Sequence, residues 1–265
     1  MNIVMREMKA NLRSLIFWSV GMVLMVLISM GKYAAMPISG QAINEFVSQI
    51  PKALQVVMGV GVFDLSKASG FYGVLYQYLL LIATIHSVML GASMIAKEEL
   101  DKTAEFLFTK PVSRARVLRF KLVAAFLNLV ILNGVTLLSS ILICNQVAGD
   151  EDLTGDILIL MGGLFILQVL FLSLGAVLAA ISKNPKTAQA MATVVLLITF
   201  LLAIFIDLNA KLEPLQYFTP FKYFEAQDLL NGGDGDPIFV TISLVLSTIF
   251  IGATFWGYQR RDLHL

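Results

Sequence analysis

Four carboxylates crowd one stretch of this chain: Glu98, Glu99, Asp101 and Glu105. An adjacent glutamate pair at the end of an apolar run could hold a metal ion or activate a water molecule. That chemistry also needs imidazoles, and the chain has two histidines, His86 and His264. His264 lies in the terminal tail, so one usable imidazole remains, which is too few for a zinc site. The expectation is no metal site and no catalytic residue. The single cysteine, Cys144, sits in an apolar run and reads as a small buried hydrophobe rather than a reactive thiol.

The acids have a second use. Glu98 and Lys102 form a favourable i,i+4 pair on a helix, whereas Asp101 and Glu105 repel at the same spacing. Leu100, Ala104 and Leu107 make an apolar stripe. Thr103 lies between the acids, and Pro111 disfavours helical geometry at Lys110. Ser113 can cap the next helix, which carries Arg114, Arg116, Arg119 and Lys121. Charge and periodicity suit two solvated helix ends and a docking surface equally well.

The flanks of this island define its setting. Phe71 to Ala96 and Leu122 to Ala148 contain no Asp, Glu, Lys or Arg. Each exceeds the roughly 20 residues that carry a helix across a bilayer. Hydrophobic residues are 58% of the chain and charged ones 14%, well outside the balance of soluble domains. A net charge of +1 without a basic face gives no argument for nucleic acid.

Six apolar runs predict spans over residues 12–30, 71–96, 122–148, 157–181, 188–206 and 238–258, in one domain covering 1–265. The first run is read as a retained span rather than a cleaved leader. With both termini, the 97–121 loop and the 182–187 turn on one side, that side holds fourteen of the nineteen Lys and Arg residues. The positive-inside bias then puts both termini in the cytoplasm. An even number of spans independently requires the termini to share a side. Residues 1–13 carry Ile3, Val4 and Met8 among Arg6, Glu7, Lys9 and Arg13, which suits a short interfacial helix or a plain basic flank.

On the far side, residues 207–237 hold Leu212, Leu215, Tyr217, Phe218, Phe221, Tyr223 and Phe224, broken by Pro214 and Pro220. That is too apolar for a solvated linker and fits amphipathic or re-entrant helices. Within the spans, polar groups are sparse. Gln77, His86 and Asn133 are candidates to line a path, and helix–helix hydrogen bonds explain them as well. No chain of intramembrane charges suggests a proton relay, and no nucleotide-binding P-loop pattern occurs. An ATP-independent carrier or channel would show such charges, and an intramembrane hydrolase would need ligands this chain lacks.

The stretch from Ala96 to Arg114, with its acidic pair, Thr103-Ala104-Glu105 and Pro111-Val112-Ser113-Arg114 followed by Lys121, resembles the signature of type-2 ATP-binding-cassette exporter permeases. Thr219 to Phe224 and the ending Arg260-Arg261-Asp262-Leu263 resemble two further motifs of that family in the expected order. Lys102 departs from the glycine many relatives carry before the threonine. The resemblance implies an all-α polytopic membrane protein with six transmembrane helices, an N-terminal interfacial helix, a cytoplasmic coupling helix and an extracellular re-entrant segment. It implies docking of a separate ATPase, which holds ATP and Mg²⁺, by Glu98, Glu99, Leu100, Asp101, Thr103, Glu105, Leu107, Lys110, Pro111 and Arg114. The chain itself is expected to bind no cofactor. The resemblance also implies a second permease copy or similar chain, and contact with membrane lipid. In this picture Phe221, Tyr223 and Phe224 form an extracellular gate.

Overall fold

The computed structural model describes residues 3–35, 40–100, 113–149, 151–182, 184–232 and 237–260. Within these residues the chain is helical, without a strand. Six helices are long and apolar enough to cross a bilayer: Ile3–Ala35, Ala68–Leu100, Arg114–Val147, Thr154–Ile181, Pro185–Leu208 and Pro237–Arg260. They are called the first to sixth spans below. Each outruns its apolar core because a helix continues into polar sequence until something stops it. Ser113 caps the third span, its side chain accepting a hydrogen bond from the Arg116 amide. Gly149, at φ +64°, ends that span in a conformation that suits glycine. Pro185 and Pro237 open the fifth and sixth spans at the first helical position, where a missing amide hydrogen costs nothing.

The expected interfacial helix is not a separate element. Residues 3–35 form one continuous helix. Neither proline nor glycine occurs between Ile3 and Val20 to break it. Val4 and Met8 also pack on Leu90, Met94, Ala125 and Leu129 of the second and third spans, so this end has a tertiary reason to continue.

The second and fourth spans form the centre of the bundle, and the fourth is buried along most of its length. They meet at two glycines. A Cβ on Gly91 would lie 2.1 Å from the Leu172 carbonyl oxygen, and one on Gly175 would lie 2.1 Å from that of Val88. Only residues without a side chain allow the backbones this close, which is how small residues drive helix association in lipid. The first span packs on the third, while the first, fifth and sixth expose apolar faces such as Ile16, Phe17, Ile198, Phe205 and Ile249. Those faces suit lipid.

Six crossings put the described ends, Ile3 and Arg260, on one face of the bundle. The opposite face carries helices Gly40–Gln49 and Lys52–Met58, the 3-10 segments Ala210–Phe218 and Pro220–Phe224, and helix Ala226–Gly232. The 3-10 segments do not stay at the surface. Thr219 Oγ1 donates to the Thr199 carbonyl at 2.7 Å, nine residues inside the end of the fifth span. Phe224 packs on Gly163, nine residues inside the start of the fourth. Both put the segment about 13 Å below the helix ends at 1.5 Å per residue, so it dips back into the bundle.

Candidate functional site

Two arrangements of polar groups stand out, one on each face. On the face that carries the termini, Glu7 is buried to 1% exposure. Arg6 Nη2 donates to Glu7 Oε1 at 2.7 Å, and Lys97 Nζ approaches Glu7 Oε2 at 3.4 Å. Lys121 has no exposed surface and donates to the Met94 carbonyl at 2.5 Å. Asn11 Nδ2 donates to the Glu7 carbonyl at 2.9 Å, and Asn128 donates to the Ala124 carbonyl at 2.8 Å. A lone buried carboxylate or ammonium would cost several kcal/mol, roughly, so each charge here depends on the others. The joint ties the start of the first span to the end of the second and the start of the third. The latter two are the roots of the segment 101–112.

On the opposite face, a pocket of about 280 Å³ opens between helix 52–58, the halves of the second and fifth spans farther from the termini, and the re-entrant segment. Its apolar wall includes Phe63, Leu80, Phe200, Phe221 and Phe224, and its polar groups include Gln77, Asp207 and Glu225. Gly59 shapes the rim. Its φ of +69° ends helix 52–58, and a Cβ there would fall 1.9 Å from Gln77 Oε1. Lys222 pairs with Asp207 and, at 2.6 Å, with Glu225. Burial pushes the Glu225 carboxyl up to about 7, against the opposing pull of Lys222. The two carboxylates hold Lys222 above its ordinary value although burial acts the other way.

The structure therefore brings Gln77 together with Phe221 and Phe224. Phe221 lies 5.3 Å from Phe171 and 5.2 Å from Phe200 between ring centroids. Tyr223 stacks on Phe239 at 4.7 Å. All three candidate gate rings are buried against their own chain, whereas Tyr217 and Phe218, at 53% and 71% exposure, are the outward-facing rings of this segment. His86 sits elsewhere, buried with its ring 5.3 Å from Trp18 of the first span. Asn133 donates to the Met161 carbonyl and to Gln168 Oε1, linking the third and fourth spans. Neither His86 nor Asn133 lines the pocket.

Arg114 begins the third span, one residue after its cap. The backbone of Glu98, Glu99 and Leu100 completes the second span. Their side chains, and Asp101, Thr103, Glu105, Leu107, Lys110 and Pro111, lie outside the described residues. Sequence reasoning missed Glu7 as a site residue. The available signal was that it is the only acid among the first 44 residues, set among four Lys and Arg residues in 1–32. It also missed Asp207 and Glu225, two acids flanking an aromatic run.

No curated protein sequence matches the chain. A family model described as ABC-2 family transporter protein matches residues 1–263. With six membrane-crossing helices and a match of that extent, the chain belongs to the ABC-2 family of transporter proteins and is a membrane permease of an ABC transporter.

Proposed function

We propose that this permease is the transmembrane half of an ATP-driven exporter, with both termini in the cytoplasm. A separate ATP-binding-cassette ATPase holds ATP and Mg²⁺ and grips the segment around residues 98–110, with Arg114 at its edge. A second copy, or a similar chain, completes the path. Phe221, Tyr223 and Phe224 hold the re-entrant segment in place as the outer closure, and the exposed Tyr217 and Phe218 meet the second copy.

The observation that carries this reading is the buried joint of Arg6, Glu7, Lys97 and Lys121. A docked segment transmits force only if its roots are fixed to something larger. Here both roots are held to the first span through the buried Glu7 carboxylate, which faces the part-buried Lys97 of one root and the buried Lys121 of the other. A pull on the segment then moves three spans together as a rigid body instead of bending one loop. The like charges at Asp101 and Glu105 add little to an isolated helix and suit a basic groove on a partner.

The test is co-purification with an ATP-binding-cassette ATPase, sought first in the neighbouring genes. Glu105→Lys should lower the ATPase recovered per permease while membrane insertion stays intact. Equal recovery together with undiminished transport would remove the segment from this role. Transport by the purified chain without any ATPase would favour a carrier or channel instead.

A further inference from the structure

In the pocket opposite the termini, two carboxylates share one lysine for their ion pairs among the described residues. Lys222 is the one ammonium paired with two carboxylates there, Asp207 and Glu225. Asp228 adds further negative potential at Glu225. Lys52 also lines the pocket, exposed on helix 52–58, and makes no ion pair with either acid among the described residues. Burial is the main reason the Glu225 carboxyl is pushed upward, with Asp207 and Asp228 adding to it, so a second cation brought against this carboxyl would favour its charged form.

The remaining wall is aromatic and aliphatic: Phe63, Leu80, Phe200, Phe221 and Phe224. Tyr76 belongs to the same wall, is 1% exposed, and has a buried hydroxyl with no hydrogen-bond partner among the described residues. Unsatisfied buried hydroxyls are uncommon and invite a partner. At about 280 Å³ the cavity sits at the small end of ligand pockets, which run from about 300 to 1,000 Å³. Aromatic faces also attract cations through their quadrupoles.

We propose that this pocket binds a small amphipathic cation, its apolar body against Phe200, Phe221 and Phe224 and its ammonium on Glu225 and Asp207. The idea deepens the export reading and rests on it for its transport consequence, though not for binding itself. An anionic ligand, such as a lipid phosphate drawn to Lys52, is the competing outcome.

Three probes of one shape separate these cases: 4-phenylbutylamine, 4-phenylbutanol and 4-phenylbutyrate. Each is titrated calorimetrically into the full chain in zwitterionic nanodiscs, with empty nanodiscs subtracted. The amine should bind about tenfold tighter than the alcohol, the scale of a hydrogen bond to a charged group, and the carboxylate should not saturate. Glu225→Gln should bring the amine down to the level of the alcohol and leave the alcohol unchanged. Equal binding of the three probes, tighter binding of 4-phenylbutyrate, or an undiminished amine preference in Glu225→Gln would overturn the proposal. If that variant fails to fold, the rank order on the unaltered chain decides. Amine binding without ATP-driven transport would sink the export reading and leave the site standing; ATP-driven transport without an amine preference would do the reverse.

Discussion

Replacing Glu7 by glutamine keeps the shape of the side chain and removes, among the described residues, the negative charge that faces Arg6, Lys97 and Lys121 in the joint. Removing one member of a buried ion pair costs about 3–5 kcal/mol. Two of the three cations are partly hydrated, with side-chain exposures of 38% for Arg6 and 33% for Lys97, so solvent screens their share. Lys121 is fully buried and feels the loss unscreened. The expected loss of stability is therefore near the low end, about 3 kcal/mol. The measurement is reversible unfolding of the full chain in mixed micelles, run as two double-mutant cycles, Glu7→Gln with Lys97→Met and Glu7→Gln with Lys121→Met. Coupling should be about 1 kcal/mol with Lys97 and about 2 kcal/mol with Lys121, within the range for residues that share a network. Additivity to within about 0.5 kcal/mol in both cycles would refute the reasoning, because the charges would then not depend on one another. The spans would have to be joined by apolar packing alone.

Three further outcomes follow from other parts of the molecule. Gly91→Ala should destabilise the chain by about 1–3 kcal/mol, the usual cost of overpacking, since its Cβ would lie 2.1 Å from Leu172 oxygen. Gly134→Ala, with nothing within 4 Å, should be tolerated, and equal unfolding curves for the two variants would count against the tight crossing. On a Cys144→Ser background, an impermeant thiol reagent on intact cells should label Asp152→Cys and spare Arg114→Cys; the reverse would overturn the proposed orientation. Between about 4.5 and 7 the folded chain keeps a proton on Glu225 that the unfolded chain releases. Stability should therefore fall as pH rises through that window, and Glu225→Gln should flatten the slope. An unchanged slope in that variant, followed by thermal unfolding against pH, would assign the dependence to another group.

Much of the fold could be read along the chain, for a reason specific to membranes. Lipid offers backbone groups no hydrogen bonds, so an apolar run of span length must become a helix whatever surrounds it. The six runs did so, and local signals set several of their ends: Ser113 caps the third span, and Pro185 and Pro237 open the fifth and sixth. The aromatic density of residues 217–224 marked a segment that could not remain in water.

Side-chain partnership was decided only in three dimensions. Glu7 reads as one more charge in a basic flank, yet the partner that makes its burial tolerable, Lys97, lies 90 positions away. The same contacts turned an expected interfacial helix into the continuous start of the first span. Phe218 and Phe221 are three residues apart and chemically identical, but one is 71% exposed and the other 4%. What separates them is depth, because Thr219 anchors the chain inside the fifth span between them and sends only the following residues into the bundle. The pocket likewise assembles Gln77, Asp207 and Glu225 from three distant stretches. A residue's preference for burial or for charge is local and written in its type. The group that satisfies that preference is fixed by proximity through space, which the packing of the second and fourth spans and the dip of the re-entrant segment create.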